Sequence, residues 1–294
     1  MATWADAFTH LHRTGASRAE LLALGATGAS LTAAVRHGHL LRLRRDHYAL
    51  PNVDGRIACA VRVGGRLGCL SALVAAGVFV FESPFTHVSL DPLASRLRSP
   101  RNRFVPLRAT NRDGTELHWV ELLHPHGGSE VAVDIRDALL QSLRCQPEWA
   151  SVATFDNALF QGLVSASDVD EIFRIAPRRF HRVRNQLDAR AESGAESALR
   201  LIVRGAGLSC DLQVKIPTVG RVDLVVEGCL ILEADSRVGH AGWEKQRTDR
   251  TRDIEAAKLR LMTLRPTSEH IFESPENVRA AILGLLEVNR NYVS

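Results

Sequence analysis

Apolar residues recur at three- and four-residue spacing through Trp4, Ala7, Phe8 and Leu11, the pattern of an amphipathic helix that ends near Gly15. Ser17-Arg18-Ala19-Glu20 is a capping box, serine and glutamate three apart, and Leu21, Leu22 and Leu24 carry that second helix to Gly25. Ser30 opens a third helix, through Leu31 and Val35 to His37, stopped by Gly38. Alternation then replaces helical spacing. Leu40-Leu41-Arg42-Leu43 and His47-Tyr48-Ala49-Leu50 flank Arg44-Arg45-Asp46, a strand, a turn and a strand.

The signals weaken over residues 53–190. Residues 68–73 read as a helix start, 86–90 and 116–121 as strands, 131–143 as a helix, and 151–175 as two helices around Gly162. From residue 191 the pattern sharpens. A helix over 196–203 ends at Gly205-Ala206-Gly207, and a strand follows over 212–214. Two β-branched runs, 222–226 and 231–235, then flank Glu227-Gly228 as a hairpin. A charged helix from Thr248 toward Lys258, a strand over 261–265 and a helix over 275–286 complete the order: helix, three strands, helix, strand, helix.

The hairpin carries Asp223, Glu233 and Asp235 where buried strands favour aliphatic side chains. Charges avoid burial unless they are paired or bind metal. Glu233 and Asp235 share a face by alternation, but the turn decides where Asp223 points. A two-residue turn at Glu227-Gly228 sets Asp223 opposite Leu232 and Glu233 on the other face. A three-residue loop through Cys229 sets Asp223 directly opposite Glu233, close enough to share an ion. The metal reading requires the longer loop or a bulge; the alternative is an acid-studded edge that blocks aggregation.

With 294 residues, 45% hydrophobic and 24% charged, the chain has the make-up of a globular protein of one large or several ordinary domains. The longest apolar run, residues 70–81, is too short to span a bilayer, and the start Met-Ala-Thr-Trp-Ala-Asp lacks the order of a signal peptide. A cytoplasmic location and no membrane partner are therefore expected. Cys59, Cys69, Cys145, Cys210 and Cys229 form no CxxC pair and read as reduced buried thiols. His87, His118, His124 and His126 show no regular ligand spacing and read as structural or exposed, with no zinc site. Phosphate-loop, HExxH and GxSxG patterns are missing, which removes nucleotide hydrolysis, zinc proteolysis and esterase chemistry. Net charge is only +4, yet six arginines, from Arg96 to Arg112, lie between Asp91 and Asp113 with no acid among them. A second cluster runs from Arg174 to Arg184. Guanidinium groups bind phosphate bidentately, so nucleic acid is the partner such clusters suit; the plainer reading is a solvated face.

Three short helices and a basic hairpin over residues 1–52 make a winged helix-turn-helix, whose third helix enters the major groove while the hairpin touches the adjoining backbone. Arg36, His37, His39, Arg42, Arg44 and Arg45 fall on the parts that face DNA in that motif. Residues 17–25, Ala34-Val35-Arg36-His37-Gly38 and residues 43–51 resemble the N-terminal antitoxin domain of the AbiEi family of type IV toxin–antitoxin systems. The family often has glycine in the wing turn, where this chain has Asp46. The resemblance implies a regulatory head that binds double-stranded DNA, and a cognate toxin as a second partner. Residues 53–190 then correspond to the mixed α/β linker region that follows such heads.

The last hundred residues, with an acid on the first helix and D…ExD on the hairpin, resemble the PD-(D/E)XK nuclease superfamily, and within it the Vsr-like endonuclease domains. The expected architecture is thus a multidomain α+β or α/β protein. A winged helix over 1–52 and a mixed middle region over 53–190 precede a restriction-endonuclease-like αβββαβ core over 191–294. The resemblance implies catalytic positions at Glu196, Asp223, Glu233, Asp235 and His240, with Arg252 on phosphate and further matches at Asp249 and Asp253. It implies Mg2+ or Mn2+ held by Asp223, Glu233 and Asp235, and hydrolysis of a phosphodiester by activated water. Asp235 stands where the superfamily usually has lysine, although the Vsr-like branch tends to have aspartate there. Ser236 replaces that branch's glycine, which leaves a non-cleaving domain as the alternative. Three functions follow: a metal-dependent DNA endonuclease, a transcriptional regulator or antitoxin with an inactive nuclease-like domain, or an interaction protein that covers a toxin's surface.

Overall fold

The computed structural model describes residues 3–11, 14–112, 114–235 and 243–293. They fall into two compact units, residues 1–146 with 167–176, and residues 147–166 with 177–294. This division cuts across the three segments expected from sequence, because residues 147–166 and 177–190 belong with the C-terminal part.

The first unit opens with α1 (Trp4–His10), capped by reciprocal bonds between Thr3 and Asp6. Then come β1 (Gly15–Ser17), α2 (Arg18–Ala23), α3 (Gly28–Arg36), β2 (Leu41–Arg44) and β3 (His47–Ala49). The capping box at Ser17 forms as expected: Ser17 Oγ accepts from the Glu20 N–H at 3.2 Å, and the Glu20 carboxylate from the Ser17 N–H at 2.8 Å. The third helix starts earlier than Ser30. Thr27 is its cap, and Ser30 serves as the third helical residue, returning a bond to the Thr27 N–H. The unexpected β1 is three residues long, too short to show a period, and pairs with β3 to give the sheet order β1-β3-β2. Phe8, Leu21, Leu31, Leu40 and Tyr48 are buried together beneath it. This burial of one apolar stripe per helix is what holds such short helices, which are marginal alone.

The unit continues with α4 (Gly55–Val63), β4 (Arg66–Leu67), α5 (Cys69–Ala75), β5 (Thr86–Leu90), β6 (Thr115–Trp119) and α6 (Ile135–Ser142). A second sheet has the order β4-β5-β6, antiparallel at β4–β5 and parallel at β5–β6. After α7 (Glu148–Phe160), which lies in the second unit, α8 (Ala166–Ile175) returns to the first from Ser167 onward.

The second unit adds α9 (His181–Gln186), α10 (Gly194–Gly205), β7 (Cys210–Ile216), β8 (Gly220–Val226) and β9 (Leu230–Leu232). It closes with α11 (Trp243–Lys258), β10 (Met262–Leu264), α12 (Ser268–Glu273) and α13 (Pro275–Val293). Its sheet order is β10-β9-β8-β7, antiparallel except for the parallel pair β9–β10 that α11 connects. Leu199 and Val203 of α10 are buried with Leu224, Val226, Leu230 and Leu232 of the hairpin and with Ile271 and Ile282. Ile231 instead packs with Val222 and with Ala256 of α11. Helices α7 and α10 are joined by an ion pair without solvent access, Arg200 Nη2 to Asp156 Oδ2 at 2.7 Å, both side chains 0% exposed. Asp156 also accepts from Ser197 Oγ and from the Asp188 N–H. Among the described residues no helix is long and apolar enough to cross a membrane.

Candidate functional site

Three residues, Glu227, Gly228 and Cys229, separate the paired Val226 and Leu230. Glu227 and Gly228 both take positive φ, 49° and 67°, so the chain reverses tightly while the Cys229 N–H donates to the Val226 carbonyl. The ladder runs Val226↔Leu230, Val225↔Ile231 and Leu224↔Leu232, where β9 ends; counted one residue further, Asp223 is level with Glu233. The longer loop is the one that forms, and the two carboxylates find different neighbours: Asp223 lies beside Glu196 of α10, whereas Glu233 is held by Arg252 of α11. Asp223 Oδ2 accepts from the Ala234 N–H at 2.9 Å.

Glu196, buried at the start of α10, accepts from Gln213 Nε2 at 2.9 Å and from the Glu192 N–H at 2.9 Å. Gln213 lies across the β7–β8 pair from Asp223, between Leu212↔Leu224 and Val214↔Val222. Its Oε1 is buried and has no partner among the described residues. Burial and then the charge of Glu196 push the Asp223 carboxyl up from 3.8 to about 6; the Ala234 N–H opposes this, and Glu233 and Glu192 add to it. Burial likewise raises Glu196, against the hydrogen bonds it accepts. A row of oxygen ligands with crowded negative charge results.

Glu233 is answered differently. Arg252 Nη2 and Arg265 Nε each reach its carboxylate at 2.7 Å, and Arg265 also holds Asp253. Arg252 further donates to the carbonyls of Val219 and Arg221, so this guanidinium is tied to the sheet. Asp235 is exposed, and its backbone bonds to Pro266 and Ser268. His240 and Ser236 lie outside the described residues.

In the first unit Arg36, Arg42 and Arg45 are exposed, Arg45 to 89%. Arg44 is half-buried instead. Its guanidinium donates to the carbonyls of Arg62, Val63 and Arg96, the end of α4 and the arginine-rich loop. Gly64 permits this approach: at φ 113° it caps α4, and a Cβ there would lie 2.0 Å from Arg44 Nη1. The same contacts bring the loop beside the hairpin, so Arg42, Arg45, Arg96, Arg98 and Arg103 line one concave surface with Phe104. Burial and then Arg98 lower the pKa of Arg44; burial and then Arg42 lower that of Arg103. Like charges held this close leave an anion-binding surface.

The histidines and cysteines bring a correction. Cys69 at the start of α5, His87 on β5, His118 on β6 and Cys145 just beyond α6 converge, with one ligand atom of each within 4.8 Å of the others. Among the described residues no other set of three or more such groups is so close, and the hairpin carboxylates are spaced more widely. The reading of the histidines as structural or exposed and of the cysteines as reduced buried thiols did not bring these four together, because they are scattered over residues 69–145. No family model matches the chain, and no curated protein is significantly similar to it.

Proposed function

We propose that this chain is a DNA-binding protein whose second unit is an endonuclease-type hydrolase working with Mg2+ or Mn2+. The observation that carries the reading is the three-residue turn, whose register, counted one residue past Leu224↔Leu232, brings Asp223 level with Glu233. The order α10-β7-β8-β9-α11-β10 supports the αβββαβ core that the resemblance to Vsr-like domains implies. The order of α1, β1, α2, α3, β2 and β3 supports a winged helix, with Arg36 on α3 for the groove and Arg42 and Arg45 for the backbone.

The residues present fit a hard cation. Asp223, Glu233 and Glu196 supply carboxylate oxygens, and the unpartnered Gln213 Oε1 adds a neutral one. Magnesium takes oxygen ligands, commonly one or two carboxylates with water and substrate phosphate. Asp223 and Glu233 would hold it, with Glu196 and Gln213 orienting water beside them. When bound, the ion supplies Lewis acidity and a lowered pKa for its water. A carboxylate offers about four lone-pair positions, so Glu233 keeps acceptor capacity beside its two arginines.

A second reading has its own support. Both Arg252 and Arg265 already neutralise Glu233, which suits a non-cleaving domain behind a regulatory head. Plasmid cleavage with Mg2+ or Mn2+, comparing wild type with Asp223→Ala and Glu233→Ala, separates the two. Nicking abolished by both substitutions is expected. Nicking that survives both overturns the site, and salt-sensitive DNA binding without cleavage selects the regulator.

A further inference from the structure

We propose that Cys69, His87, His118 and Cys145 form a structural zinc site of Cys2His2 type that closes the β4-β5-β6 sheet. His87 Nδ1 and His118 Nε2 face each other at 3.0 Å, and Cys145 Sγ lies 4.0 Å from the same His118 nitrogen. A tetrahedral zinc ion with bonds of about 2.3 Å to sulfur and about 2.0–2.1 Å to nitrogen spaces its ligands roughly 3.3–3.8 Å apart. These two spacings stand a few tenths of an ångström from that tetrahedron, and all four ligand atoms lie within 4.8 Å of one another. Two thiolates and two imidazoles are a donor set that favours zinc over the hard cations proposed for the hairpin. Four protein ligands also fill the coordination shell, which makes the site closed and structural.

The surroundings hold each ligand in place. The Cys69 N–H donates to Gln141 Oε1 at 2.9 Å, and Gln141 Nε2 donates in turn to Ser89 Oγ. The His87 N–H donates to Ser71 Oγ at 2.9 Å. Cys69 takes φ 48°, a left-handed backbone that is strained for a non-glycine residue and persists only where the surroundings impose it. His87 and His118 project from the same face of the parallel β5–β6 pair, two residues apart in register on the diagonal, which stacks their rings with centroids 5.3 Å apart. Helix α5, strands β5 and β6 and the segment after α6 thus meet at one point. A sheet whose β4 is two residues long has little area to bury, and a metal cross-link supplies folding free energy where apolar burial is small.

The test uses the full chain, purified under reductant and supplied with zinc or cobalt alone. One zinc per chain is expected, and cobalt in its place should give the intense visible bands of tetrahedral coordination with sulfur-to-metal charge transfer. His118→Cys keeps four ligands and adds a thiolate, so its cobalt spectrum should gain charge-transfer intensity; this variant guards against mere loss of folding in Cys145→Ser. Asp223→Ala should retain full zinc, separating this site from the hairpin. The proposal falls if the wild-type chain binds neither metal, if the cobalt spectrum is octahedral or unaltered by His118→Cys, or if Asp223→Ala loses zinc. It falls equally if mass spectrometry finds Cys69 and Cys145 joined as a disulfide in metal-free folded protein.

Discussion

Asp223 accepts a hydrogen bond from the Ala234 N–H, next in the chain to Glu233, yet of the two carboxylates only Glu233 is matched by guanidinium groups. Asp223 keeps its proton to about pH 6, against 3.8 for an ordinary aspartate. Between those values the folded chain holds a proton that the unfolded chain has released, so this group makes stability fall as pH rises through the window. Asp223→Asn should lose that dependence and exceed wild type in stability above pH 6. Urea unfolding of both proteins across the window measures it.

A divalent cation reverses the same relationship. Mg2+ favours the ionised carboxylate and should stabilise wild type by about 2.7 kcal/mol at a hundred times its Kd. Asp223→Asn should show little of this gain. Thermal unfolding with and without Mg2+ at neutral pH checks it.

Arg265 links Glu233 to Asp253. Arg265→Ala removes charged hydrogen bonds from two half-buried carboxylates and should cost about 1–3 kcal/mol. It also leaves more negative charge beside Asp223, so the fall in stability should move to higher pH and Mg2+ should bind more tightly. Calorimetric titration of the variant with Mg2+ reads the second effect.

Asp156 and Arg200 form the most deeply buried pair described in the second unit. Asp156→Ala strands the guanidinium, whose Nε and Nη1 already lack partners among the described residues, and should cost about 3–5 kcal/mol. Replacing both members with apolar residues of similar volume, Asp156→Leu with Arg200→Met, should recover most of the loss. Denaturant midpoints of the single and double variants test this.

Neighbouring arginines on the first hairpin should behave differently. Arg45→Ala removes an exposed charge and should reduce the salt slope of DNA binding by about 1 without changing thermal stability. Arg44→Ala should lower the melting temperature, because Arg44 ties the hairpin to the end of α4. Asp46 holds φ 61° in the turn between them; Asp46→Gly should relieve that conformation, remove an acid from the basic surface and tighten DNA binding. Anisotropy titrations over a salt series, with melting curves, separate the three.

Short-range interactions were legible in the residues themselves. The Ser17 capping box, the strand at Thr86–Leu90, the helices around Gly162 and the order of elements from α10 to β10 follow from bonds and periodicities within a few positions, whereas the short α12 before the last helix was not expected. The third helix was misplaced at its start because Thr27 and Ser30 both satisfy a cap, and only the reciprocal bond chooses between them. The hairpin was half determined. Alternation put Glu233 and Asp235 on one face, but the length of the turn between the strands needed the pairing partner. Arg44 read as a DNA contact because its charge is local information, whereas the carbonyls it binds come from α4 and a distant loop. The Cys69, His87, His118 and Cys145 cluster lay furthest from view. The chain determined which residues are able to bind a soft metal. The fold decided that these four meet, because parallel pairing of β5 with β6 and the packing of α5 and α6 set distances that no sequence spacing carries.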